Sequence, residues 1–238
     1  MILTVRNLSV TYGTKEAVDN ISFSVEAGEA IGLLGANGAG KSSTIAAVLG
    51  IEKSNYEELK MLGKSPILQR KEVFQEVGVQ FQETNFQDKL TVREACEQWE
   101  SLYKQTAEVP QLLQTFGLVG KETQLVKSLS GGERQRLAVL LSLISNPKLV
   151  FLDELTTGLD TKARRMIWKQ LQAMKEKGLA IVLTSHYMDE VEALCDKILI
   201  LKEGKTVFHG TIQEAIYASK TTSLESAYLN FAGEEDWE

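Results

Sequence analysis

Residues 30–50 read AIGLLGANGAGKSSTIAAVLG, and no other stretch of the chain restricts its fold as much. A wholly apolar run, the pattern of a strand buried on both faces of a parallel sheet, passes directly into glycines and then into helix formers. The loop GANGAGKSS at 35–43 fits G-x-x-x-x-G-K-[ST] through Gly35, Gly40, Lys41 and Ser42. That spacing suits a phosphate chain. The glycines let backbone N–H groups close around it, the lysine reaches its outer oxygens, and the hydroxyl can ligate Mg²⁺. Ala36, Asn37, Gly38, Ala39 and Ser43 complete the expected cradle. The four fixed positions arise by accident in roughly 1% of chains this long. The flanking strand and helix patterns lower that further, so the loop predicts nucleotide binding.

The remaining pattern extends this core. ILTVRNLSVTY and AVDNISFSVEAG read as strands with GT and AG as turn signals, which predicts an N-terminal antiparallel β subdomain. LVFLD at 149–153, AIVLTS at 180–185 and KILILK at 197–202 are further buried-strand patterns. Helical patterns separate them, namely TKARRMIWKQLQAMKEKG, ended by Gly178, and HYMDEVEALCD. The alternation predicts an α/β fold, a P-loop NTPase core with a mostly parallel sheet and helices packed against it. Between 83 and 146 the strand signals stop. There TVREACEQWESLYK opens with Thr91 and Glu94 at capping-box spacing, and PQLLQTFGL begins with a proline suited to a first helical turn. The expected organisation is one domain over 1–238. Segments 1–82 and 147–212 form the catalytic core, 83–146 an inserted α-helical subdomain, and 213–238 a tail of two short helices with a frayed acidic end, GEEDWE.

Two further motifs carry chemistry. LVFLDELTTGLD is an apolar strand that ends in two acids. Alone, such a pair is a solvated strand end. After a phosphate loop, Asp153 is expected near Mg²⁺ through water and Glu154 near the γ-phosphate, where a carboxylate can polarise the attacking water. SLSGGERQRLAVLLSLI at 128–144 starts a helix with small residues that leave backbone N–H groups pointing outward. That is a second anion site by construction, in a chain that already has one.

Composition excludes some classes. The 238 residues are 43% apolar and 24% charged, with a net charge of −6. This is an ordinary globular balance, and the acidic sign argues against a nucleic-acid partner met through a broad basic face. The two cysteines, Cys96 and Cys195, lie far apart in no metal-ligand spacing, which suits a reducing compartment. MILTVRNLSVTYG alternates from the start, a strand pattern and not an apolar targeting core. The apolar run LAVLLSLI at 137–144 is too short to cross a bilayer. A soluble cytoplasmic chain that reaches a membrane only through a partner is expected.

Taken together, the phosphate loop, LSGGERQRL at 129–137, LVFLDELTTGLD and TSHYMDE at 184–190 resemble the ATP-binding subunit of an ABC transporter. The resemblance runs from about residue 2 to residue 212. It implies that Tyr12 stacks on adenine, that Gln82 contacts Mg²⁺ and the water and senses the membrane partner, and that His186 contacts the γ-phosphate. It also implies that Asp160 belongs to a loop at the interface between two subunits. In that family two subunits lie head to tail, and each ATP is held between one chain's phosphate loop and the other chain's signature. Ser130, Gly131, Gly132 and Glu133 would then address a nucleotide bound to the neighbour. The second helix start belongs to the partner's ATP, and a helix N-terminus with about half a positive charge is suited to it.

Three positions depart from the family pattern. Leu155 replaces the usual proline, Tyr56 and Glu57 stand where Ser-Gly is usual, and Ser43 where threonine is commoner. The signature, Glu154 and His186 are intact, which implies a competent ATPase using ATP and Mg²⁺. The tail TTSLESAYLNFAG resembles that of exporter subunits paired with a separate permease, which places the chain on the cytoplasmic side of the cell membrane. A soluble or importer-type ATPase is the alternative. A GTPase is disfavoured by the lack of N-K-x-D, and a small-molecule kinase by the presence of LSGGERQ. Both halves of the shared site are complete, which favours a homodimer over a heterodimer; the cargo is left open.

Overall fold

The computed structural model describes residues 1–81 and 86–233. Gln82 and the last five residues of GEEDWE lie outside the described residues. The chain begins with strands β1 (Leu3–Tyr12) and β2 (Lys15–Val25), followed by β3 (Ala30–Leu34) and helix α1 (Lys41–Val48). Next come β4 (Glu58–Met61), a single turn α2 (Arg70–Val73) and β5 (Val77–Gln80). Helices α3 (Val92–Glu100), α4 (Val109–Thr115) and α5 (Gly131–Ser142) intervene before β6 (Leu149–Asp153). The chain then alternates through α6 (Thr161–Lys175), β7 (Ala180–Thr184), α7 (Met188–Leu194) and β8 (Lys197–Lys202). It ends with β9 (Lys205–Thr211), α8 (Ile212–Ser219) and α9 (Leu224–Ala232).

Six strands form the main sheet in the order β5-β6-β7-β3-β8-β9. All neighbours are parallel except β9, which returns antiparallel on β8. A second, antiparallel sheet has the order β2-β1-β4. The central strands are apolar throughout because both faces are covered. On β6, Val150 and Leu152 join the layer built with α3 to α9, while Leu149 and Phe151 join the layer between the two sheets and α1. The same alternation divides Ile181 and Leu183 of β7 from Ala180 and Val182. Period-two alternation with both sides apolar is the signature of a sheet buried on both faces.

The helix ends follow local chemistry. Thr91 and Glu94 form the expected capping box at the start of α3. Helix α6 ends at Lys175, and Gly178, with φ at +104°, completes the turn that leads into β7. The strands β4, β5 and β9 had no clear signal in the sequence. ELKM and VGVQ are only four residues each, and KTVFHGT is half-exposed. They are strands because neighbours pair with them. The unusual stretch at Tyr56 and Glu57 is likewise held by β1: Glu57 N donates to Arg6 O at 3.0 Å and Asn7 Nδ2 donates to Glu57 Oε2 at 2.6 Å.

Strand β5 touches α5 so closely that a Cβ on Gly78 would meet the Ser142 carbonyl oxygen, which is backbone and cannot rotate away. Gly78→Ala should therefore force the strand and helix apart. Overpacking of this kind costs about 1–3 kcal/mol, and urea denaturation should show the midpoint falling accordingly.

Candidate active site

The register of the sheet brings three strand ends level. Leu33 of β3 pairs with Thr184 of β7, and Thr184 pairs with Asp153 of β6. Each strand releases its chain at the same edge, the carboxyl edge where open α/β sheets hold ligands. From β3 emerges the glycine loop, from β6 the acids, and from β7 the loop carrying His186.

The loop is pressed against its surroundings. A Cβ on Gly35 would lie 2.5 Å from the Leu201 carbonyl, and one on Gly40 would lie 2.6 Å from the Ala17 carbonyl. Gly40 is also the N-cap of α1, with φ at +107° and no side-chain cap, and the first turn of α1 carries no acid. The N–H groups at that helix start are thus left to a ligand. By contrast, α3, α5 and α8 each close their starts with a capping box. Lys41 is buried, and its ammonium donates to Gly35 O at 2.6 Å and Ala36 O at 3.1 Å. Burial lowers its pKa, and the carboxylates of Glu154 and Asp153 push it back up.

Thr184 links the two acids. Its hydroxyl donates to Asp153 Oδ1 and accepts from the Glu154 backbone N–H at 3.0 Å. Asp153 is buried, and desolvation raises its pKa despite the Thr184 hydrogen bond. An acid raised in the folded state contributes most below the ordinary carboxylate range. That contribution is lost as pH rises through the raised value, so at neutral pH this charge works against folding. Glu154 has φ at +51°, an uncommon conformation for a residue with a side chain. It turns the carboxylate out of the strand line, where Oε2 accepts from Thr157 Oγ1 at 3.2 Å and Oε1 lies 3.4 Å from His186 Nε2.

These groups share one cavity of about 600 Å³. Asn37, Gly38, Gly40, Lys41, Ser42 and Ser43 form one wall, and Glu154 and His186 the other. Tyr12, Lys15 and Ala17 form the rim. Gly35, Ala36 and Ala39 shape the loop without lining the cavity, and the buried Asp153 does not line it either. Lys15, Ala17 and Thr184 belong to the site although no sequence motif marks them. Thr184 could have been inferred, because it stands level with Asp153 at the end of an apolar strand.

The signature lies apart. Ser130, Gly131, Gly132 and Glu133 do not line this cavity. Ser130 N-caps α5: its Oγ accepts from Glu133 N at 3.2 Å, and its N–H donates to Glu133 Oε2 at 2.9 Å. Glu133 also meets Lys121 Nζ at 3.1 Å. The start of α5 is therefore less open than the sequence suggested. Its own acid occupies one side, which leaves the Gly131 and Gly132 N–H groups, without intrahelical acceptors, and the Ser130 hydroxyl proton. Behind the signature, Gln135 Nε2 donates to Leu155 O at 2.7 Å, so the residue in place of the usual proline ties α5 to the end of β6. Asp160 accepts from Ala163 N at 2.8 Å and caps α6.

A phosphate loop facing a strand-end carboxylate across an open cavity, with a second acid at the same strand end, defines a nucleotide-hydrolysing protein of the P-loop class. The sequence model of the ABC transporter family matches residues 18–157. The Nod factor export ATP-binding protein I of Burkholderia orbicola (strain AU 1054) is 36% identical over 210 residues, covering 86% of this chain and 69% of that protein. Among solved structures, the ATP-binding subunit of an ABC transporter superposes with a TM-score of 0.90 at 24% identity, over 97% of this chain and 99% of that one. A dimeric post-hydrolysis ATP-binding cassette, MJ0796 bound to ADP and Pi, superposes with a TM-score of 0.77 at 21% identity, over 88% and 98%. The chain belongs to the ABC transporter family, and within it is an ATP-binding, ATP-hydrolysing subunit. Among the described residues, no helix is long and apolar enough to cross a membrane.

The Thr184 hydroxyl bridges the Asp153 carboxylate and the Glu154 amide. Thr184→Val keeps the shape but strands a buried carboxylate and a backbone N–H, which should cost about 1–3 kcal/mol. Thermal unfolding should show the loss, and nucleotide hydrolysis should fall with it.

Proposed function

We propose that this chain powers export through a separate membrane permease, paired head to tail with a second copy of itself and held at the cytoplasmic side of the membrane. The observation that carries the reading is the separation of its two anion-ready helix starts. The α1 start faces the cavity of its own chain, while the signature at α5 lies outside it. Each nucleotide would then complete its site only with the partner's Ser130, Gly131 and Gly132. The dimeric ADP-bound cassette of the same fold supports such pairing. The export and the separate permease follow the relatives that carry Nod factor export in their names. The division into a catalytic core, a helical subdomain over 83–146 and a tail from 213 is part of the same proposal.

Within the site, Tyr12 stacks on adenine at the rim, and residues Gly35 to Ser43 hold the phosphates through backbone N–H groups and Lys41. The donor set also fits Mg²⁺: Ser42 lines the cavity and the Asp153 carboxylate acts on the Lys41 ammonium beside it, while Gln82, the third expected ligand, lies outside the described residues. Mg²⁺ supplies neutralisation of charge developing on the β- and γ-phosphate oxygens. Glu154 orients and polarises the attacking water, and His186, beside it, meets the γ-phosphate. Asp160 and the loop before it face the partner. When the γ-phosphate leaves, the signature loses its contact and the pair opens, which transmits the nucleotide state to the permease.

ATP hydrolysis by the purified chain with Mg²⁺ tests this. Glu154→Gln should reduce turnover roughly 10²–10⁴-fold while the mutant still forms an ATP-dependent dimer by light scattering. Equal rates in mutant and wild type would remove Glu154 from the chemistry.

A further inference from the structure

Helix α6 meets the segment that follows β7 through polar contacts repeated along one face. The guanidinium carbon of Arg164 lies 3.6 Å from the centre of the Tyr187 ring. One turn on, Trp168 Nε1 donates to Glu190 Oε1 at 2.9 Å. Gln172 Nε2 then donates to Ala193 O at 2.6 Å, and Lys175 Nζ to Leu194 O at 3.0 Å. The spacing 164, 168, 172 and 175 keeps these side chains on one side of the helix. Helix α7 is thereby laid along α6, and Arg164 is the contact at the end nearest the site.

That contact adjoins the chemistry at both of its ends. Tyr187 follows His186 directly in a tight turn, where Ser185 Oγ accepts from Tyr187 N at 3.0 Å and donates to Tyr187 O at 3.3 Å. Tyr187 then opens α7 without a side-chain cap. His186 stands at the tip of this turn, which β7 holds on one side and the Tyr187 ring on Arg164 holds on the other. At its other end, Arg164 Nε donates to Leu159 O at 3.3 Å, in the loop that joins Glu154 to α6. One planar side chain thus touches both segments that leave the sheet edge, the one after β6 and the one after β7. A guanidinium combines a stacking face with in-plane N–H donors, which an ammonium does not.

We propose that Arg164 is a positioning residue for His186: it clamps Tyr187 to α6 and to the loop before it, and so fixes the turn that aims His186 at Glu154 and the γ-phosphate. The inference rests on the reading above that His186 meets the γ-phosphate. His186 Nε2 lies 3.4 Å from Glu154 Oε1 although the side chain is 40% exposed. Little packing holds the ring itself, so its aim depends on the turn. A cation on an aromatic face is strong enough to bias that turn severalfold toward the aligned form. Arg164 and Tyr187 do not line the nucleotide cavity, so the clamp acts on turnover and not on ATP binding.

Steady-state ATP hydrolysis by the full chain with Mg²⁺ tests the clamp. R164A and Y187A should each lower kcat about three- to tenfold with the KM for ATP unchanged. The double variant should lose no more than either alone, because both remove one contact. Y187F keeps the ring face and should run at the wild-type rate, whereas R164K loses the plane and should not. The chain has two histidines, and His209, on β9, does not line the cavity. In NMR spectra of histidine-labelled chain, the His186 side-chain signal, assigned by its loss in H186A, should move in R164A and Y187A while the His209 signal stays. A merely structural role would move both signals together. Wild-type turnover in R164A and Y187A, or a fall in kcat with both signals moved or neither, would overturn the clamp and leave the role of His186 standing. Full activity in H186A would remove the role of His186 itself, and the clamp falls with it.

Discussion

A single hydroxyl holds the two halves of the chemistry together. Thr184, at the end of one parallel strand, binds the carboxylate that ends the next strand and the amide of the residue after it. That contact ties the Asp153 carboxylate and the Glu154 backbone to the end of β7. Glu154 then adopts a left-handed backbone that only its surroundings impose, and its carboxylate turns toward His186. Everything else in the site depends on the same alignment of strand ends. A shift of one residue in the pairing of β6 with β7 would send the acids to the opposite face of the sheet.

The site works against the stability of its own fold. Lys41 and Asp153 are buried charges whose protonation equilibria shift toward their neutral forms, and their mutual proximity only partly offsets the desolvation. A start of α1 with no capping side chain adds to this cost. The compensation lies in the sheet beneath, where strands β3, β6, β7 and β8 are apolar on both faces and packed between two layers. A rigid base of that kind lets strained and uncompensated groups persist at its edge. A phosphate chain is a ligand that can satisfy such a site.

The contrast between the two helix starts also has a physical basis. At α1 no side chain caps the first turn and no acid lies in it, so its N–H groups address the cavity. At α5 the chain supplies its own acid, Glu133, which is in turn held by Lys121. That start is partly neutralised and stable on its own, with two glycine amides left over. A helix start at a surface keeps more of its N–H groups paired with a closed cap than with an open one.

Much of this was legible from residues alone. The phosphate loop, the buried strands and the acids at 153 and 154 follow from spacing and from the two periodicities of strand and helix, which depend on neighbours in sequence. Thr91 with Glu94 behaved as its spacing required for the same reason. By contrast, β4, β5 and β9 are too short or too exposed to signal themselves, and exist because longer strands pair with them. The level alignment of Asp153 with Thr184, the closeness of Gly78 to α5 and the hydrogen bond from Trp168 to Glu190 join residues far apart in the chain. The sequence by itself determined which groups the site contains and the local turn that presents each one. Only the tertiary structure decided which of them touch, because hydrogen bonds across strands and helices are set by packing distance and not by position along the chain.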